Sequence, residues 1–253
     1  MAKRNVRPPD LDAHRSEGNS GLNGDGRASA RGARPRVGVK LADRLRESIL
    51  SGALPPGSKI NLEQLRQAEE ISLSPLREAL TQLVALRLVD FEENRGYTVS
   101  PISLTNLAEI TQLRIAFERM ALSAAIGVGD LDWEGRIVGS LHRLSQTNRD
   151  PSDLPTLDAW ERAHRDFHMA LIGGCGLPLL LQFCLTLHNL NDRYRRILLM
   201  RGGGDRDIGA EHASIAKAAI GRDVASATTL LSEHIQRTGA NLHAALSLRL
   251  VHG

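Results

Sequence analysis

Cysteine and aromatic residues are scarce in these 253 residues, and long apolar runs are missing. Two cysteines, Cys175 and Cys184, are too few for a disulfide framework or a zinc finger, which points to a reducing, cytoplasmic compartment. Aromatics make up 3%, so the core must come from Leu, Ile, Val and Ala. Leu and Ala are good helix formers, and the fold class that follows is mostly α. No stretch approaches the roughly 18 consecutive apolar residues of a membrane-spanning helix. The N-terminal MAKRNVRPPDLDAHRSEG lacks the apolar centre of a secretory signal. Net charge is also small: 32 Lys and Arg against 29 Asp and Glu give +3. Composition alone therefore names no partner.

What charge excess there is sits at the start. Residues 1–37 carry eight basic side chains (Lys3, Arg4, Arg7, Arg15, Arg27, Arg31, Arg34, Arg36) against four acids, a net +4. The segment is rich in Gly and poor in aliphatics, so it is expected to stay disordered. It is either a solvated leader or a basic arm that helps to hold a polyanion.

Residues 38–102 read as a first folded domain. Leu41, Leu45 and Ile49 recur at four-residue spacing, the mark of an amphipathic helix. Gly52 and Leu54-Pro55-Pro56-Gly57 end it. Asn61 and Gln64 predict the start of a second helix over residues 62–70. Ser74, followed by Pro75, predicts the cap of a third, with Leu76, Leu80, Leu83 and Val84 as its buried stripe. Two short strands, 88–91 and 97–99, follow through the turn Glu93-Asn94-Arg95-Gly96. Helix, helix-turn-helix and hairpin in this order make a winged helix-turn-helix.

Residues 103–250 hold no convincing strand. Six helices are expected, over 103–127, 130–147, 155–173, 177–201, 206–221 and 223–249. The breaks between them are short, which predicts an antiparallel six-helix bundle.

In a winged helix-turn-helix the start of the third helix meets base edges in the major groove. Ser72, Leu73, Ser74, Pro75 and Arg77 occupy that position. Arg77 is the candidate for a guanine or a phosphate, and Arg66 for the DNA backbone. Asn94, Arg95 and Gly96 would reach the minor groove or a phosphate. Each of these is otherwise an ordinary capping or surface residue. Residues 39–100 have eight bases and nine acids, so DNA binding needs a segregated face.

In the bundle, His164 and His168 stand at i, i+4 on one helix face. That spacing suits two ligands of one metal ion, and equally a surface or hydrogen-bonded pair.

Three segments together resemble the GntR family of bacterial transcription regulators: Leu54-Pro55-Pro56-Gly57, Ser72–Leu80 and Asn94-Arg95-Gly96-Tyr97-Thr98-Val99. Leu73 departs from the family, which usually has a base-reading Arg there. A Leu in its place resembles the subgroup of the carbon-starvation-induced regulator. The helical part resembles the FadR-type effector domain called FCD. That resemblance implies a metal site: Phe167-His168, Glu211-His212 and His234 match three of the family's ligands. His164 stands where the family has Asp. A set of His164, His168, His212 and His234 is softer than the family's, which favours Zn²⁺, or Ni²⁺, over Mg²⁺ and Ca²⁺.

The resemblance further implies an effector pocket in which Arg114 holds a carboxylate. Its alternative is a surface Arg paired with Glu118. Tyr194 and Arg195 are further candidates for that pocket. The expected protein is a homodimeric, cytoplasmic and nucleoid-associated repressor without a membrane span. A small carboxylate or dicarboxylate would release it from double-stranded operator DNA. The competing reading is a metal-dependent enzyme using the His cluster, against which no general-base motif stands beside those histidines.

Overall fold

The computed structural model describes residues 34–150, 152–198 and 207–252. Its first helix, α1 (Arg34–Leu50), begins before residue 38. The last four residues of the expected leader, 34–37, therefore belong to the fold. Pro35 does not oppose this, because the first turn of a helix has no use for its N–H. The rest of the leader lies outside the described residues.

Asn61 caps α2 (Leu62–Ala68) as expected, its side chain accepting from the Gln64 N–H at 3.0 Å. The helix ends two residues early, and Glu70 turns out of it with φ 52°. Helix α3 (Leu73–Ala85) also departs from expectation: Ser72 is its N-cap, not Ser74. Pro75 then falls at the third helical position, still among the N–H groups that need no partner. Leu76, Ala79, Leu80 and Leu83 of α3 are buried against Leu41, Leu45 and Ile49 of α1.

The wing is a three-stranded antiparallel sheet in the order β1-β3-β2, built from β1 (Lys59–Ile60), β2 (Val89–Glu92) and β3 (Gly96–Val99). Strand β1 was not foreseen; two residues are too short to show an alternating pattern. The turn between β2 and β3 needs positive φ at Gly96 (82°) and also at Asn94 (66°), the two residue types that tolerate it best.

The six expected bundle helices are all present: α4 (Leu104–Val128), α5 (Leu131–Gln146), α6 (Leu154–Ile172), α7 (Pro178–Leu198), α8 (Ile208–Ile220) and α9 (Val224–His252). Their starts follow local chemistry. The Ser103, Asp130, Asp153 and Asp207 side chains each accept an N–H three residues on. Such caps are each worth about 0.5–2 kcal/mol. Asp223 accepts from the Ser226 N–H at the head of α9 in the same way. The bundle core is mostly aliphatic, with Phe167 and Trp133 as its fully buried aromatics; Trp133 Nε1 donates to the Leu171 carbonyl at 3.1 Å.

Helix α7 joins the two domains. Its Leu190 packs against both the winged-helix core and the Leu107–Leu246 cluster of the bundle. Arg193 donates to the Ser100 carbonyl at the end of the wing. Arg196 reaches Asp158 on α6 and lies 3.6 Å from Glu47 on α1. No described helix is long and apolar enough to cross a membrane.

Helices α4 and α9 come close together at Gly239. A Cβ there would lie 2.6 Å from Thr111 Cγ2 and 2.7 Å from its Oγ1. Gly239→Ala should destabilise the protein, because overpacking costs about 1–3 kcal/mol against a helix-propensity gain of about 1 kcal/mol. Adding Thr111→Ala should restore the lost urea midpoint; a Gly239→Ala protein as stable as the parent would contradict this packing.

Candidate functional site

Four helical turns converge on one buried cluster. His164 and His168 come from α6, His212 from α8 and His234 from α9, and each is at most 3% exposed. One nitrogen from each ring lies within 4.8 Å of those of the others. The pair predicted by i, i+4 spacing is thus brought together with both residues implied by the resemblance. Both ring nitrogens of His168, and Nε2 of His212, are buried without a hydrogen-bond partner. Buried polar atoms are rarely left so. A bound cation would take one nitrogen from each ring, and the donor set fits a borderline-soft divalent metal.

Neutral imidazole is the ligating form, and the surroundings enforce it. Burial, then the Arg195 cation and the other rings, holds His164 well below the usual histidine range. Burial and His234 do the same to His212. Burial brings His168 down to about 4 despite the opposing pull of Glu118.

A carboxylate orients one of the rings, as carboxylates do around many metal sites. His234 Nδ1 donates to Glu211 Oε2 at 2.8 Å, which leaves Nε2 to face the cluster. His168 Nδ1 lies 3.4 Å from Glu118 Oε2. His164 differs. Its Nδ1 is 2.8 Å from Arg195 Nη1, and a guanidinium can only donate. The neutral ring therefore carries its proton on Nε2, and ligation through that atom requires the Arg195 bond to be exchanged.

Arg114 is buried beside the same cluster. Its Nε donates to Glu118 Oε1 at 2.7 Å and its Nη2 lies 3.3 Å from His188 Nε2. The surface alternative for Arg114 therefore fails, although its pairing with Glu118 holds. Burial pushes the Glu118 carboxyl up, but Arg114 and His188 outweigh it and hold it well below the usual range. Arg195 likewise joins the site, bound to Glu161 and, at 2.6 Å, to Asp192. Tyr194 does not. Successive helix residues point about 100° apart, and its hydroxyl instead accepts from the Ser103 N–H at 3.1 Å and donates to Asn106 Oδ1 at 2.9 Å.

Sequence reasoning missed Glu118 and His188 as members of this centre. Glu118 was visible as the i+4 neighbour of Arg114. No spacing along the chain could show that His188 on α7 meets His168 on α6, with ring centroids 5.1 Å apart.

The expected DNA-contacting residues are exposed or half-exposed. Ser72, Leu73, Ser74 and Arg77 are exposed at the start of α3, and Pro75 is half-buried. Arg66 is held by Glu63 through two hydrogen bonds of 2.9 and 2.6 Å, and Arg95 by Glu92 at 3.0 Å. The Arg66 bonds hold the Glu63 carboxyl down to about 2. A phosphate would have to displace either acid. Asn94, Arg95 and Gly96 stand together at the tip of the wing.

Acid should unfold the metal-free protein. His164, His168, His188 and His212 are all held below their ordinary range, so between about pH 6.5 and 4 the unfolded chain binds protons that the folded one refuses. Stability then falls as pH falls, by up to about 1.4 kcal/mol per pH unit for each such histidine. Urea titrations at pH 7.5 and 5 check the slope, and equal stabilities would contradict it.

Comparison with known proteins agrees with this geometry. The profile of the bacterial regulatory proteins of the gntR family matches residues 38–99, and that of the FCD domain matches residues 109–237. The HTH-type transcriptional regulator BphR of Paraburkholderia xenovorans (strain LB400), itself uncharacterized, is 40% identical over 197 residues, 76% of this chain and 80% of that protein. The HTH-type transcriptional repressor GlaR of Escherichia coli (strain K12) is 34% identical over 195 residues, 76% of this chain and 89% of that one. Among solved structures, E. coli McbR/YncC superposes with a TM-score of 0.69 at 20% identity, covering 82% of this chain and 97% of that one. These relatives place the chain among regulators and not among enzymes. The chain belongs to the GntR family of bacterial transcription regulators, a DNA-binding winged helix followed by an FCD domain.

Proposed function

We propose that this regulator is a cytoplasmic repressor that leaves its operator when a small carboxylate binds beside a metal ion in the bundle. One observation carries the reading: buried, neutral, incompletely bonded histidines at the end of a charged helix that also grips the winged domain. His168, His212 and His234, with His164 as the fourth, would hold Zn²⁺ or Ni²⁺. Neutral imidazoles leave the ion its full charge, whereas the family's Asp would reduce it. The metal supplies electrostatic attraction for an anionic ligand. Arg114 and Arg195 flank the same cluster and add to that attraction.

We read the operator-binding form as a homodimer. Leu113 and Met120 on α4, with Leu179 and Phe183 on α7, are exposed apolar residues. Phe117 and Phe183 tie the two helices together, with ring centroids 6.1 Å apart. A second copy covering this strip would place two recognition helices on one duplex, as the pseudo-palindromic operators of such dimers require.

For a ligand to release DNA it must bind the two arrangements unequally; a tenfold release corresponds to about 1.4 kcal/mol. Helix α7 offers the route, since Arg195 touches His164 and the next residue, Arg196, meets α1.

Two measurements test the reading. The Arg77 carbonyl accepts from the Thr81 hydroxyl at 2.8 Å, but its exposed guanidinium has no hydrogen-bond or ion-pair partner among the described residues and is available to read a base. Arg77→Ala should weaken binding to a duplex selected from a random pool by about 1–3 kcal/mol, and an unchanged affinity would remove the recognition-helix assignment. Purified protein should carry about one divalent metal per chain. Chelation should lower its melting temperature and abolish release of DNA by acids, and His168→Ala should do the same while retaining operator binding. Metal-free protein that melts identically with and without added zinc would sink the site.

A further inference from the structure

A cavity of about 280 Å³ opens beside the histidine cluster, between α5, α6 and the start of α8, lined among others by Leu144, Thr147, Arg149, Trp160, Gly209 and His212. Its inner end is His212, 1% exposed, whose Nε2 has no hydrogen-bond partner. Its outer wall is Arg149, in the segment between α5 and α6. The guanidinium carbon lies 5.0 Å from the centroid of the Trp160 ring. Stacking on an indole fixes a guanidinium in place while leaving its N–H edge free to donate.

Arg149 differs from the other cations around this centre. Arg114 has Glu118 and Arg195 has Glu161 and Asp192. Arg149 meets no carboxylate at ion-pair distance among the described residues, and its Nε is buried without a partner. Burial holds its pKa below the usual arginine range, with Glu161 pulling it up and Arg195 pushing it down. The N-terminus of α8 does not compete for an anion, because the Asp207 carboxylate already accepts from the Ala210 N–H at 2.9 Å. The cavity is thus lined both by His212 of the histidine cluster and by an oriented cation without an ion-pair partner. Its volume suits a ligand of a few heavy atoms, below the usual drug-sized range.

We propose that Arg149 is a specificity-determining residue that binds the second anionic group of a dianionic effector, a short α,ω-dicarboxylate whose other carboxylate lies at the His212 end of the cavity. The inference rests on the reading of the bundle as an acid-binding effector domain. A monocarboxylate would engage the inner end alone. A diacid would gain a charge-assisted and geometrically bidentate contact.

Calorimetry on the zinc-loaded full chain tests this with succinate, glutarate and adipate against butyrate, pentanoate and hexanoate. The preferred diacid should bind the wild type at least about tenfold more tightly than the monoacid of equal length, a difference of about 1.4 kcal/mol. Arg149→Gln should bring the diacid down to the monoacid's affinity and leave the monoacid unchanged. Arg149→Lys, which keeps the charge without the planar fork, should fall between. Zinc content and melting temperature confirm that each variant is folded; if Arg149→Gln melts early, Arg149→Lys carries the comparison. A diacid preference that survives in the variants, or a wild type that binds both series equally, overturns the role of Arg149 and leaves the acid-binding reading standing. If neither series binds the wild type, that reading falls and the inference with it.

Discussion

The buried charge of helix α7 sets the constraints on the rest of this fold. From His188 to Arg196 the helix places His, Asn, Asp and Arg side chains in the interior, nearly all at 3% exposure or less. Removing a charge from water costs several kcal/mol unless partners surround it. The partners come from everywhere: Glu118 on α4, Glu161 and Asp158 on α6, Glu47 on α1 and the Ser100 carbonyl beyond the wing. Each fixes the distance between α7 and another element. Arg195 meets the histidine cluster, while Arg193 and Arg196 beside it, together with Leu190, meet the winged domain.

Most of the architecture was legible along the chain. All the bundle helices but α7 begin at Ser or Asp caps, and α4, α6 and α8 end at Gly; such signals are local, so α4 to α9 fall within a few residues of expectation. What escaped was either too short or too distant. Strand β1 has two residues, and its pairing of Lys59 with Thr98 is a long-range event. The start of α3 was read from Ser74-Pro75, whereas Ser72 is the cap and makes no side-chain hydrogen bond; a cap without its bond leaves little for a sequence to display. The site divides along the same line. His164 and His168 share one helix, and their spacing is visible. Glu118, His188 and Arg149 enter through packing. Tyr194 failed because adjacent helix residues face different neighbours, here the N-cap of α4 in place of the cluster.

His164 also bears on the electrostatics of the cluster. The family's Asp at this position would itself neutralise part of a metal's charge. With His164 there, Arg195 stands 2.8 Å from a neutral ring and turns its charge towards Glu161 and Asp192. Glu211 stands behind His234 and orients it, and Glu118 lies 3.4 Å from His168 Nδ1. Negative charge thus lies around the cluster, on Glu118, Glu161, Asp192 and Glu211.

The scarcity of aromatic residues gives the two tryptophans separate meanings as optical reporters. Trp133 is fully buried, pressed between Gly129 and Gly174, each of which would clash with it if it carried a Cβ. Its emission follows the integrity of the bundle. Trp160 stacks on His164, with ring centroids 4.9 Å apart and planes 19° apart, and on its other contact meets the Arg149 guanidinium. Its emission follows the ring and the cation beside it. The chain thus carries two native fluorophores, one sensing whether the domain is folded and one sensing what occupies its centre, with no label added.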